Sequence, residues 1–276
     1  MNVTDLLSFE AKNQFLNSLK NTGFATLYNH NINIESLSKM QDSWYNFFQE
    51  EDKVFYEYDE VKHDGFVSFE KSETAKNNDK KDLKEFYHYY PNGRCPQGLK
   101  KITQQIYDEL YSLSSMLLSW IQEDIQDNIE NFDKIPLIKS IENSPNTLLR
   151  IIHYPPMQNM LPTLSTRAAA HTDINLITLI PFASSRGLQI KYNDVWFDMP
   201  CDSKYITVNS GDMLSEYTNQ YFKSTVHRVI NPQNEETNIS RLSTAFFLHP
   251  NDNIVLSDKY TAGSFKTERL KELGLL

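Results

Sequence analysis

From about Thr147 onward the chain breaks into short runs of Ile, Leu, Val, Phe and Thr separated by Pro, Gly, Asn and Asp, a texture that restricts this half to β structure. Strands are expected at Leu148 to His153, Ile174 to Pro181, Gly187 to Lys191, Val195 to Asp198, Tyr205 to Asn209, Ser224 to Ile230 and Leu242 to Leu248. Short strands in this number suit a jelly roll, whose paired sheets enclose a cavity. The ending DKYTAGSFKTERLKELGLL reads as a loop and a closing helix.

The first 145 residues read differently. Apolar positions recur at three and four in Phe15 to Asn21 and over Leu99 to Ile125, the second long enough to be a helical spine. Gly23 to Ile32 suits a short strand, a helix is expected from about Ile34, and Lys71 to Asp82 reads as an exposed loop. His30 is expected to cap the turn into that helix. The fold class is therefore α+β, mainly β: a double-stranded β-helix (jelly-roll) core in residues 146–276 with a C-terminal helix. A mostly helical region, residues 1–145, packs on it to make one compact unit.

A formal net charge of -9 leaves no basic surface for a phosphate backbone, which argues against nucleic acid and anionic membranes as partners. Cys95 and Cys201 stand apart rather than in a metal or redox pair, and MNVTDLLSFEAK lacks the basic and apolar stretches of an export signal. A cytoplasmic location and a small-molecule substrate are the expectations; no window is long and apolar enough to span a bilayer.

His171 and Asp173 are two apart where a loop meets an apolar strand, and strand periodicity turns both side chains to one face. A third ligand is available from His227, in the alternating stretch KSTVHRV. Two imidazoles and a carboxylate form the facial triad of iron(II) oxygenases, which leaves positions open for co-substrate and dioxygen. Further on, Arg241 and Ser243 again stand two apart. Their guanidinium and hydroxyl can bind one carboxylate, the planar fork giving two parallel bonds.

These residues sit in motifs that resemble the isopenicillin N synthase-like family of iron(II)- and 2-oxoglutarate-dependent dioxygenases. LLRIIHYPP, HTDINLITLI, GLQI with VWFDMP, YITVNSGDMLSEYTNQYFKSTVHRVI and RLSTAFFLHP follow in the family's order, and GFATLYNHNI and DLKEFYHYYP resemble its helical N-terminal half. The resemblance implies that His171, Asp173 and His227 ligate Fe(II). It also implies that Arg241 and Ser243 hold the distal carboxylate of 2-oxoglutarate and that Tyr154 bonds its other end. Where several family members carry asparagine two residues before that tyrosine, this chain has Ile152.

The implied activity uses O2 and 2-oxoglutarate to oxidise, by default to hydroxylate, a substrate C–H bond, releasing succinate and carbon dioxide. Two alternatives stay open: an oxidase with the same triad that does not use 2-oxoglutarate, and a jelly-roll binding module without catalysis. The family's substrate contacts make Phe66, Tyr87, His88, Arg167 and Phe247 the candidates. Arg167 suggests a carboxylate or amino-acid-like substrate. His63, His153 and His249 show no partner pattern in the sequence.

Overall fold

A computed structural model describes residues 3–72, 81–130, 132–157 and 166–272. Strands and helices alternate through the first half: β1 (Val3–Asp5), α1 (Ala11–Thr22), β2 (Phe24–Tyr28), α2 (Ile34–Gln49), β3 (Gly65–Val67), β4 (Glu85–Tyr89), α3 (Lys100–Asn128) and α4 (Leu137–Ile141). Strands dominate the second: β5 (Leu148–Tyr154), β6 (Ala168–His171), β7 (Ile177–Ala183), β8 (Leu188–Tyr192), β9 (Val195–Asp198), β10 (Tyr205–Ser210), α5 (Asp212–Tyr217), β11 (His227–Val229), β12 (Arg241–Leu248) and α6 (Ala262–Glu272).

Two sheets result, one of eight strands ordered β1-β2-β10-β7-β12-β5-β4-β3 and one of four ordered β6-β11-β8-β9. Alternation in β12 assigns its faces. Leu242, Phe246 and Leu248 enter the core shared with the helices, whereas Ala245 and Phe247 belong to the layer between the sheets with Ile152, Tyr154, Leu188 and Val229. The architecture is the mainly β jelly roll that the sequence leads one to expect.

Helix α3 supports the outer face of the large sheet. It buries Ile106, Leu110, Leu113, Leu117, Ile121 and Ile125, a stripe at intervals of three and four. Helix α2 begins at Asn33, whose side chain accepts from Ser36 N at 2.9 Å. The cap is therefore Asn33 and not His30, which is the wrong side chain at the wrong position for the bond.

Other expectations need correction. DLKEFYHYYP contributes strand β4, which pairs with β3 and β5, so the large sheet draws strands from both sides of residue 145. Strand β7 starts at Ile177 rather than Ile174, and β11 covers only the last part of Ser224 to Ile230. Most of the loop expected at Lys71 to Asp82 lies outside the described residues. Among the described residues, no helix is long and apolar enough to cross a membrane.

Candidate metal centre and its cavity

The small sheet sets two histidines face to face. His171 ends β6, His227 begins β11, and the two are direct cross-strand partners with ring centroids 4.3 Å apart. Asp173 follows β6 in a loop rather than on a strand. Its Oδ1 lies 3.8 Å from His171 Nε2 and 3.7 Å from His227 Nε2, and among the described residues these three form the cluster whose ligand atoms all fall within 4.8 Å.

The surroundings fix which atoms face inward. The carbonyls of Ala169 and Thr225 lie 2.7 and 3.3 Å from the Nδ1 atoms of His171 and His227, positions suited to an Nδ1–H donor that leaves each Nε2 lone pair for a metal. Asp173 Oδ2 accepts from Thr178 Oγ1 at 2.6 Å and Asn209 Nδ2 at 2.8 Å, so Oδ1 remains for the ion. Burial pushes the His171 imidazole down to about 4, with the neighbouring His227 adding to the effect. Burial opposes charge on Asp173, but His227, His171 and the two hydrogen bonds outweigh it and hold the carboxyl low. A neutral imidazole and an ionised carboxylate are the forms that ligate a cation.

Two glycines let the backbone close around this cluster. Gly23, in the left-handed region at φ 69°, ends α1, and a Cβ there would fall 2.2 Å from Thr225 Oγ1, close to His227. A Cβ on Gly211 would fall 2.1 Å from the carbonyl oxygen of Asn175. That close approach lets Asp212 N donate to Asp173 O at 2.7 Å.

The triad opens into a cavity of about 280 Å³ between the sheets. One face of β12 lines it with Arg241, Ser243, Ala245 and Phe247, and the paired face of β5 adds Tyr154, Ile152, Arg150 and Leu148. Arg241 is 1% exposed; its Nε donates to Ser185 O at 3.0 Å and its guanidinium carbon lies 5.1 Å from the Tyr154 ring centre. Its Nη1 is buried with no hydrogen-bond partner among the described residues. A buried guanidinium with an unanswered donor fits a carboxylate ligand. Ser243 Oγ, on the same face, donates to Phe182 O at 3.3 Å. Ile152, opposite Ser243, gives this wall an apolar surface.

The expected substrate residues divide. His88 and Phe247 line the cavity. Phe66 and Tyr87 are register partners on β3 and β4 whose side chains turn to the helices, where both rings pack against Phe47. Arg167 is buried beside Arg241, donating through Nη2 to Ile239 O at 2.7 Å. Burial, then the neighbouring Arg241 charge, lowers it to about 10, and its Nε has no partner among the described residues. It therefore adds positive charge at the Arg241 end. Sequence reasoning gives no role to Thr178, Asn209, Arg150 or His249. The last two are detectable, each being two residues along the chain from a residue that the motifs single out, Ile152 and Phe247.

The model of the 2OG-Fe(II) oxygenase superfamily matches residues 145–250, and that of the N-terminal part of the non-haem dioxygenases in morphine synthesis matches residues 5–106. Gibberellin 2-beta-dioxygenase 3 of Arabidopsis thaliana is 26% identical over 90% of this chain and 75% of its own length. A crystal structure from Shewanella oneidensis, provisionally designated an oxygenase, is 42% identical and superposes with a TM-score of 0.88 over 100% of this chain and 99% of that one. A full-length Neurospora crassa protein crystallised in complex with alpha-KG has the same fold at 22% identity, with a TM-score of 0.82 over 98% of this chain and 96% of that one.

Proposed function

The chain belongs to the 2OG-Fe(II) oxygenase superfamily of non-haem iron, 2-oxoglutarate-dependent dioxygenases, and from that premise we propose that it hydroxylates a C–H bond of a small molecule held between its sheets. One observation carries the reading: His171, Asp173 and His227 open onto the same cavity as Arg241, whose Nη1 is buried without a partner among the described residues.

In this reading His171 Nε2, His227 Nε2 and Asp173 Oδ1 hold iron(II), and Arg241 with Ser243 holds the distal carboxylate of 2-oxoglutarate. Bound there, the two supply the activation of O2, with loss of carbon dioxide and formation of succinate. The chain's own residues do the rest. Thr178 and Asn209 keep the Asp173 carboxylate from rotating, and the Ala169 and Thr225 carbonyls hold the imidazole planes. Tyr154 packs beside Arg241, while Arg167 raises the local positive charge that attracts a dianion. The apolar wall of Ile152, Ile180, Leu188, Val229 and Ala245 limits water at the reacting centre. A carboxylate or amino-acid-like molecule is the favoured substrate class, because the far end of the cavity carries Arg150.

Incubation with iron(II), O2 and 2-oxoglutarate, with and without small carboxylates, tests the reading by quantifying succinate. The expected result is iron-dependent succinate that rises when a substrate is present. No succinate under any condition contradicts the reading.

A further inference from the structure

We infer that Asp82 is a positioning residue for His171, because it pins a bulge in β6 that turns this ligand inward; the inference deepens the function proposed above and rests on it. Ala168 and His171 both line the cavity although they stand three apart in the chain. In a regular strand residues three apart face opposite sides. The pairing with β11 shows how the parity is broken. Ala168 pairs with Val229 and His171 with His227, so the 4 residues of β6 run against the 3 of β11, and the register shifts between the two pairs. The extra residue at Ala169 and Ala170 is a β-bulge, the device by which a strand re-aims a side chain.

A bulge interrupts the ladder, and β6 is the outermost strand of the small sheet, so its backbone groups need partners from elsewhere. Asp82 supplies one. Its Oδ1 accepts from Ala169 N at 2.9 Å, and the carbonyl oxygen of the same Ala169 lies 2.7 Å from His171 Nδ1. Ala169 is thus held through its N–H and orients the imidazole through its carbonyl. The neighbouring backbone adds a second tie, Leu83 N donating to Thr166 O at 2.8 Å.

Asp82 is itself fixed. It is 5% exposed, and its Oδ2 accepts from the equally buried Lys84 Nζ at 2.9 Å. A buried carboxylate engaged by a cation on one oxygen and a backbone N–H on the other has little freedom to turn. Strand β4 starts just beyond, at Glu85, and pairs with β5. The strand that carries His171 is therefore tied to the large sheet through Asp82, from a segment well before the jelly-roll strands in the chain.

Two double variants separate the bond to Ala169 from the ion pair, and neither leaves Lys84 facing a lost carboxylate. Asp82→Asn with Lys84→Met keeps an acceptor for Ala169 N, whereas Asp82→Leu with Lys84→Met removes it at similar volume. Iron(II) titration under nitrogen should find the first within about threefold of the parent and the second at least about fivefold weaker than the first, a smaller effect than for a group bonded to a ligand itself. The visible d–d bands of the cobalt(II)-loaded protein should shift with Asp82→Leu and not with Asp82→Asn, a change of ligand field that lost packing elsewhere does not produce. The 2-oxoglutarate affinity of the iron-saturated proteins should stay within about twofold. Asp82→Ala with Lys84→Met carries the same expectation as the Asp82→Leu pair and stands in for it if that protein does not fold. Equal iron affinity and equal cobalt spectra with and without the acceptor, or iron and 2-oxoglutarate affinity lost together, overturns the inference. A parent protein that does not bind iron(II) overturns the function itself, which keeps the two failures separate.

Discussion

His171 and His227 stand opposite one another across the β6–β11 pair, ring centroids 4.3 Å apart, and Asp173 Oδ1 sits within 3.8 Å of both Nε2 atoms. Three side chains from two strands and a loop thus converge without any of them being adjacent in a helix. The consequence is a metal site whose geometry depends on sheet register and on the loop that carries Asp173.

The loop is held through Thr178. Replacing Thr178 by Val removes the 2.6 Å donor to Asp173 Oδ2 while nearly preserving shape. Iron(II) affinity should fall about 10- to 100-fold, with Thr178→Ser close to the parent. Equilibrium metal titration under nitrogen reads this directly, and a Val variant with unchanged affinity would show that the bond does not orient the carboxylate.

Gly211→Ala places a methyl group 2.1 Å from the Asn175 carbonyl oxygen, where backbone must move. A loss of about 2 kcal/mol or more in urea denaturation is expected, accompanied by weaker iron binding because Asp212 N anchors Asp173 O. Lost stability with intact metal affinity would mean that the turn adjusts without moving Asp173.

At the co-substrate end, Arg241→Ala should raise the 2-oxoglutarate requirement at least tenfold while iron binding persists. Arg167→Met should raise it by a smaller factor, since Arg167 is placed beside Arg241 and outside the lining of the cavity. Calorimetry on the iron-loaded protein checks both. Equal loss of iron and 2-oxoglutarate affinity would assign Arg241 to the fold.

Acid should weaken the metal-free protein. Burial lowers His249 to about 3, whereas the same group ordinarily titrates at 6.5. The unfolded chain therefore binds this proton first as pH falls, and stability is lost from about 6.5 downward until the folded group also protonates. In that window His249 contributes a slope of about 1.4 kcal/mol per pH unit. Urea denaturation between pH 5.5 and pH 4 in chelator, inside that window, should show a slope shallower by about that amount in His249→Asn. Identical slopes would place the acid sensitivity in other groups, such as His171.

Much of the fold is legible in the sequence because apolar alternation marks strands whose two faces meet different surroundings. Strand β12 is the clearest case: Arg241, Ser243 and Phe247 share a parity, and the structure turns all three into the cavity. Parity also explains Tyr87 and His88. Adjacent strand residues face opposite ways, so only one of the pair can line the cavity, and nothing in EFYHY says which. Strand β6 escapes a sequence reading because Ala168-Ala169-Ala170 carries no strand pattern. Asp173 converges with the histidines from a loop, by hydrogen bonds to Thr178 and Asn209 that no local spacing encodes.

The most direct test is a crystal structure of protein grown without oxygen in iron(II) and 2-oxoglutarate. The account predicts iron on His171 Nε2, His227 Nε2 and Asp173 Oδ1, with the distal carboxylate of 2-oxoglutarate on Arg241 and Ser243. Iron held by other residues, or a carboxylate bound away from Arg241, would contradict it.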